Sequence, residues 1–238
     1  MSPAVYVKRY TDPARGVAAQ AHLRWWQQLD SGVRLPHLYP STATHLLLER
    51  LDGRLPEPAD LPDLAIALGQ LHGSAYAREL HAARLDRSFD TTLGNTIPDF
   101  CTSRRNALSQ LGLTCANLPA AVYKDANLRN FILTASGPAL VDFDDLTLAP
   151  FGYDLAKLIV STAMTYGLLS STQIEQTHAG YTHSVETAGG PADSCMPAQL
   201  ADYAEIHHML TARYLHRNGY QHSWPAVRPW KTPEPRPR

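Results

Sequence analysis

The residues between 121 and 155 of this 238-residue chain have types and spacing suited to moving a phosphoryl group. Asp125 is followed, after four intervening residues, by Asn130. Two short apolar strands then enclose the turn Thr134-Ala135-Ser136-Gly137-Pro138. The second strand ends in Asp142-Phe143-Asp144-Asp145, and Asp154 opens the next apolar run. Phosphoryl transfer asks for little covalent work from a protein: a cation against the phosphates, oxygen ligands for Mg2+, and a carboxylate that orients or deprotonates the acceptor. Asp125, in a loop after Val122-Tyr123, suits the base. Asn130 offers a neutral oxygen and Asp142 a charged one, a pair suited to a Mg2+ ion that keeps several waters. Asn127 and Asp144 are either extra metal or acceptor contacts or loop caps, and Asp145 reads as a solvated turn residue. The plain alternative makes all of these turn and cap residues at hairpin ends. Their co-occurrence in the required order and strand context favours the site.

Composition narrows the classes further. A chain with 44% hydrophobic and 18% charged residues folds as an ordinary globular protein of one domain or two fused lobes. The formal charge of -1 supplies no basic footprint for nucleic acid. Three cysteines, Cys101, Cys115 and Cys195, contain no CxxC and predict neither a disulfide framework nor a zinc site. MSPAVYVKRY has no apolar core of a signal peptide, and the most apolar segment, 155–169, contains Lys157 and is too short to span a bilayer. These features predict a soluble, cytoplasmic protein with no membrane partner, and leave its oligomeric state open.

The elements that must position the site follow from periodicity. Residues 4–10 read as a strand carrying Lys8, and Thr11-Asp12-Pro13 as a capped helix start. Ala14, Ala18, Ala21, Trp25 and Leu29 recur at helical spacing. Residues 35–39 and 44–51 predict two further strands, and 55–62 a Pro-rich, acidic crossing. A helix is expected from Leu61 to Gly73, a polar surface segment over 78–93, and helices over 97–111, 154–169 and 172–186. Leu200, Tyr203, His207, Leu210 and Tyr214 mark a last amphipathic helix, and the tail from Trp224, with its prolines, is not expected to form regular structure. His178 and His183 lack the i, i+4 spacing of a helical zinc pair, and His207 is expected as a packed core or pocket histidine. The sum is an α+β layout: a small strand-containing lobe over 1–54, a mainly helical lobe over 55–224 with one inserted hairpin, and a Pro-rich tail over 225–238.

These motifs resemble the catalytic core of the aminoglycoside phosphotransferase and choline kinase group, which shares the protein-kinase-like fold. Tyr123-Lys124-Asp125 through Asn130 is similar to its His-x-Asp…Asn loop, Val141-Asp142-Phe143-Asp144 to its metal motif, and Phe151-Gly152-Tyr153-Asp154-Leu155-Ala156 to its Asp-Leu-Ala helix start. The resemblance covers about residues 4 to 170. It implies Asp125 as catalytic base, Asn130 and Asp142 as Mg2+ ligands, and Asp154 as a brace beneath the catalytic loop. Lys8 becomes the nucleotide lysine, and Glu49, Arg50 and Leu51 the hinge facing the base of ATP or GTP. The implied activity is transfer of the γ-phosphoryl to a hydroxyl of a small molecule, with a sugar or lipopolysaccharide-core kinase and a weakly catalytic nucleotide-binding pseudokinase as alternatives. Three departures stand out. Tyr123 replaces the usual His, no glycine-rich phosphate loop is evident, and no glutamate precedes Glu49. The helix after Lys8 therefore lacks the acidic partner such a lysine ordinarily has, with Gln20 the nearest polar substitute. His207, Tyr203 and Tyr214 are candidates for the acceptor pocket.

Overall fold

The computed structural model describes residues 4–230. In chain order the elements are β1 (Val5–Arg9), α1 (Pro13–Gln28), β2 (His45–Glu49), α2 (Leu61–Arg78), β3 (Phe89–Asp90), β4 (Thr96–Ile97), α3 (Cys101–Gln110), β5 (Ala120–Tyr123), β6 (Phe131–Thr134), β7 (Gly137–Leu140), β8 (Thr147–Pro150), α4 (Tyr153–Tyr166), α5 (Ser171–Thr187), α6 (Pro197–Thr211) and α7 (Trp224–Val227). The strands pair antiparallel as β1-β2, β3-β4, β5-β8 and β6-β7. The chain thus has an α+β fold, as its residue pattern predicts.

In the first lobe Lys8 of β1 lies opposite Leu46 of β2. Asp12 caps α1 by accepting the Ala14 N–H at 2.9 Å, with Pro13 in the first turn. The buried face of α1 differs from the expected one. Gly16, Ala19, Gln20, Leu23 and Trp26 join Trp25 inside, while Ala14 is exposed. Gly16 explains the rotation: a Cβ there would stand 1.9 Å from the Ala43 carbonyl oxygen, so the helix seats its smallest residue against the chain leading into β2. Residues 35–39 do not form the expected strand. Leu38 makes an isolated bridge to Leu48, and the Glu49 N–H reaches the His37 carbonyl at 2.8 Å. Pro36 has no N–H to give, which leaves this edge fragmentary.

The crossing is fixed by Arg54, whose guanidinium makes two 2.8 Å bonds to Asp60. Beyond it α2 continues past Gly73 to Arg78, further than the expected stop. Cβ atoms at Gly69 and Gly73 would each lie 2.4 Å from carbonyl oxygens of α5, those of Tyr181 and Val185. Both glycines therefore serve close packing between helices rather than termination.

Helix α4 is the buried axis of the second lobe: every residue from Tyr153 to Met164 is buried, as a helix apolar on nearly all sides requires. Gly152, at φ +84, starts it where a Cβ would come within 2.1 Å of Cys195 Sγ. The segment expected to be irregular from Trp224 begins instead as α7, anchored by the fully buried Trp224, whose indole donates to Glu205 at 2.9 Å. A buried aromatic outweighs the prolines beside it. Residues 231–238 of the expected Pro-rich tail lie outside the described residues. No helix among the described residues is long and apolar enough to cross a membrane.

Candidate active site

The loop after β5 is organised by Asp154. Its carboxylate, 0% exposed, accepts the backbone N–H groups of Lys124 at 3.1 Å and Ala126 at 2.7 Å. These two bonds flank Asp125, which is held in a left-handed conformation at φ +61. Asp tolerates that region better than most residues, and outliers of this kind concentrate at functional sites. Asn127 and Asn130 both donate their side-chain amides to the Asp125 carbonyl, at 2.9 and 3.0 Å. Both side chains thereby brace the loop, and neither Oδ1 accepts a hydrogen bond among the described residues; that of Asn127 is buried.

The Asp125 carboxylate is engaged on one side. Its Oδ1 accepts the Tyr123 hydroxyl at 2.8 Å and lies 3.2 Å from the Lys157 ammonium. No hydrogen bond to Oδ2 is formed among the described residues. Tyr123, where the resembling motif has His, supplies a hydrogen bond directly to Asp125. Arg104 holds the Tyr123 ring in turn, 5.2 Å from its centroid, while donating to Tyr153 at 3.0 Å.

Beneath the loop runs a buried polar chain. Tyr181 accepts the Gly152 N–H at 3.0 Å, and its hydroxyl lies 2.9 Å from His72 Nδ1. His72 Nε2 is 4.0 Å from Asp154, too far for a hydrogen bond. Burial pushes the His72 pKa down to about 3, so the ring is neutral. Burial likewise pushes Asp154 up to about 6, against the pull of the Ala126 amide and the Lys124 ammonium. Lys124 is buried too; burial lowers its pKa despite the surrounding carboxylates, and it donates to the Val141 carbonyl at 3.0 Å, tying the loop to the strand end that carries Asp142.

At the hairpin end Asp142 also has a left-handed backbone, φ +66. Lys8 Nζ lies 2.8 Å from Asp142 Oδ1 and 2.6 Å from Asp144 Oδ1, and the Tyr10 hydroxyl donates to Asp144 at 2.6 Å. The acidic partner missing from α1 is thus supplied by Asp144. Gln20 does not substitute for it, since its amide donates to the Thr42 carbonyl at 2.7 Å. Burial opposes the charge on Lys8, but the two carboxylates outweigh it and raise its pKa; Asp142 is held below the usual carboxylate range by the same ammonium, against its own burial. Helix α1 reaches this corner through His22 Nδ1, 2.9 Å from the Phe143 carbonyl oxygen.

A cavity of about 440 Å3 opens between the lobes, and Lys8, Glu49, Arg50, Leu51, Asn130 and Asp142 all line it. Glu49 is occupied, pairing with Arg34 and accepting the His37 N–H at 3.1 Å. Backbone groups remain open at this edge of the cavity: the Arg50 carbonyl and the Leu51 N–H have no hydrogen-bond partners among the described residues. A smaller cavity of about 200 Å3 flanks the catalytic loop between Asn127, Arg129, Thr162, Thr165, Asn218 and Tyr220, and no carboxylate lines it.

His207 and Tyr203 do not line either cavity. His207 bonds the Tyr153 carbonyl at 2.8 Å and stacks on Tyr123 at 5.8 Å, and Tyr203 packs on Tyr153 at 5.9 Å, so both form an aromatic backing behind Tyr123 and Tyr153. Tyr214, also expected there, is absent from both linings. Lys157, Lys124 and Tyr10 escaped sequence reasoning. Lys157 left one sign, a lone charge in an apolar helix, which is rarely buried unless paired.

The oxygen set fits Mg2+. Asn130 and Asp142 line the same cavity, and Mg2+ takes one or two protein oxygens with the rest from phosphates and water. No cluster of three or more His, Cys, Asp or Glu side chains forms a metal site among the described residues, so a transition-metal cage has no counterpart.

Comparisons with known proteins identify the family and the fold. The model of the phosphotransferase enzyme family matches residues 6–191. A comparison with curated proteins returns no match. Among solved structures, the chain is similar to the macrolide 2'-phosphotransferase MphH from Brachybacterium faecium, with TM-score 0.60 and 15% identity over 89% of this chain and 78% of that one. It is similar to the choline kinase LicA from Streptococcus pneumoniae, with TM-score 0.56 and 17% identity over 89% and 78%. It is also similar to an amicoumacin kinase in complex with AMP-PNP, Ca2+ and Ami, with TM-score 0.53 and 14% identity over 87% and 72%. With more than half of its length matched by one family model, the chain belongs to the phosphotransferase enzyme family, the aminoglycoside phosphotransferase and choline kinase group with its protein-kinase-like fold.

Proposed function

We propose that the protein is a Mg2+-dependent kinase that moves the γ-phosphoryl group of ATP or GTP to a hydroxyl of a small molecule in the cytoplasm. The observation that carries this reading is the convergence of Lys8, Asn130 and Asp142 on one cavity, with the Asp125 loop bonded to Asn130. The hinge groups of Arg50 and Leu51 meet the purine, and Lys8 faces the phosphates. Asn130 and Asp142 hold Mg2+, which neutralises charge on the phosphates when bound. Asp125 takes the proton of the acceptor hydroxyl through Oδ2, its unengaged oxygen.

The acceptor is a small metabolite or antibiotic. The carboxylate-free lining of the smaller cavity disfavours a polycationic aminoglycoside there. The amicoumacin kinase, crystallised with a nucleotide analogue and a divalent ion, supports the choice of cofactors. A second reading, a nucleotide-binding module without turnover, draws on the occupation of Lys8 by both Asp142 and Asp144. Mass-shift screening of hydroxylated metabolites and antibiotics with ATP and GTP decides between them. A phosphorylated product that requires Mg2+ supports the kinase, and nucleotide binding with no product across a broad panel supports the module.

A further inference from the structure

Lys157 is the only charged residue of α4 after Asp154. Its side chain is 8% exposed, yet its ammonium stands 3.2 Å from Asp125 Oδ1 and 3.3 Å from the Tyr220 hydroxyl. Burial alone pushes a lysine toward the neutral form. Here Asp125 and Tyr220 outweigh burial and raise the pKa, so the ammonium stays charged. Tyr220 is itself fixed. Its N–H donates to the Arg217 carbonyl at 3.0 Å, its carbonyl accepts the His216 N–H at 2.8 Å, and the next two N–H groups, of Gln221 and His222, reach the Met164 carbonyl near the end of α4 at 2.8 and 2.9 Å.

Two elements therefore converge on one oxygen of the base, β5 through Tyr123 and α4 through Lys157, and the 216–222 turn anchors the Lys157 ammonium through Tyr220. The backbone of Asp125 is held separately, by the amides of Asn127 and Asn130 on its carbonyl. A neutral solvated carboxylate loop needs none of this, and a buried ammonium placed only to fill space would cost more than an apolar side chain of the same length.

We propose that Lys157 is a positioning residue for phosphoryl transfer: anchored by Tyr220, it pins Oδ1 of Asp125 so that Oδ2 is presented to the attacking hydroxyl. In the step it serves, the acceptor O–H bond breaks and its proton passes to Oδ2. The acceptor oxygen forms its bond to the γ-phosphorus as the bond to the bridging oxygen breaks, and the nucleoside diphosphate leaves with that electron pair. This rests on Asp125 being the base.

The test compares Mg2+-dependent turnover of ATP and GTP by wild type, Lys157→Met, Lys157→Arg and Tyr220→Phe, together with Tm. In folded Lys157→Met, kcat is expected to fall about 10- to 100-fold, the scale of a misplaced reacting group, with the KM for nucleotide unchanged. Lys157→Arg recovers part of the loss. A folded Lys157→Met with wild-type kcat, or a loss matched by an equal rise in nucleotide KM, overturns the proposal. Should Lys157→Met fail to fold, Tyr220→Phe is read in its place: a smaller fall in kcat at constant KM supports positioning, and unchanged kcat overturns it. Asp125→Ala in the same assay separates the two ideas. If it is inactive while Lys157→Met is not, only the positioning role fails; if it remains active, the base assignment fails.

Discussion

Lys8 and Asp144 meet across the cleft between the lobes, Nζ to Oδ1 at 2.6 Å, and Tyr10, just after the strand that carries Lys8, donates to that same oxygen. A lysine without an acidic partner on α1 is thereby steadied from the hairpin end instead. Asp144→Asn should weaken nucleotide binding by about 1–2 kcal/mol, the range of a charge-assisted hydrogen bond discounted for partial exposure, with a smaller effect on kcat. Calorimetric titration with ATP or GTP measures this. Unchanged affinity would assign Asp144 to the acceptor or metal instead.

Asp142 is the charged half of the proposed Mg2+ pair. Asp142→Asn keeps the shape and removes the charge. Turnover should then require a Mg2+ concentration higher by about tenfold or more, since one carboxylate supplies most of the protein's share of that ion's ligation. A Mg2+ titration of wild type and variant checks it. Superimposable curves would remove Asp142 from the metal site.

The two glycines of α2 against α5 make a stability prediction independent of chemistry. Gly73→Ala would drive its Cβ to 2.4 Å from the Val185 carbonyl oxygen, a backbone atom that cannot rotate aside. Overpacking of this kind costs about 1–3 kcal/mol, although alanine is the better helix former. Thermal denaturation should show a lower Tm, and a stabilised variant would contradict the close helix contact.

Asp154 and His72 give stability opposite dependences on pH. The folded-state value of about 6 for Asp154 lies above its ordinary 3.8, so the native state holds that proton more tightly. Its contribution is complete below about pH 4 and is lost as pH rises through 6. His72, lowered to about 3 from 6.5, contributes above 6.5 and loses its contribution as pH falls. The difference in Tm between wild type and Asp154→Asn cancels the His72 part. That difference should move against wild type between pH 4 and pH 7, and movement in its favour would show that the carboxylate is stabilised as the anion.

The readable part of this protein was the part encoded locally. Asp125, Asn130, Asp142 and Asp154 stand within one stretch whose strands and helix start can be read from alternation and spacing; Asp154 and Asn130 hold the Asp125 loop, and Asn130 and Asp142 line one cavity, whereas Asp125 lines neither cavity. Lys157 and Asp144 were harder, because their roles exist only once α4 passes under the loop and the two lobes close on each other. The face of α1 was misread because the Ala stripe is as periodic as the true one, and contact between Gly16 and Ala43 decides between them. Gly73 looked like a stop by propensity, and tertiary packing against α5 overrode it. Trp224 was discounted for its neighbouring prolines, while a buried indole needs only one turn of helix to hold it.

Turnover of nucleotide by the Asp125→Ala variant, beside wild type and with Mg2+ present or chelated, tests the central claim most directly. Wild type should consume ATP or GTP only with Mg2+, and Asp125→Ala should lose about 100- to 10,000-fold in rate while still binding nucleotide, the span of a lost general base. Equal turnover by the two proteins, or turnover indifferent to Mg2+, would contradict the assignment of this site.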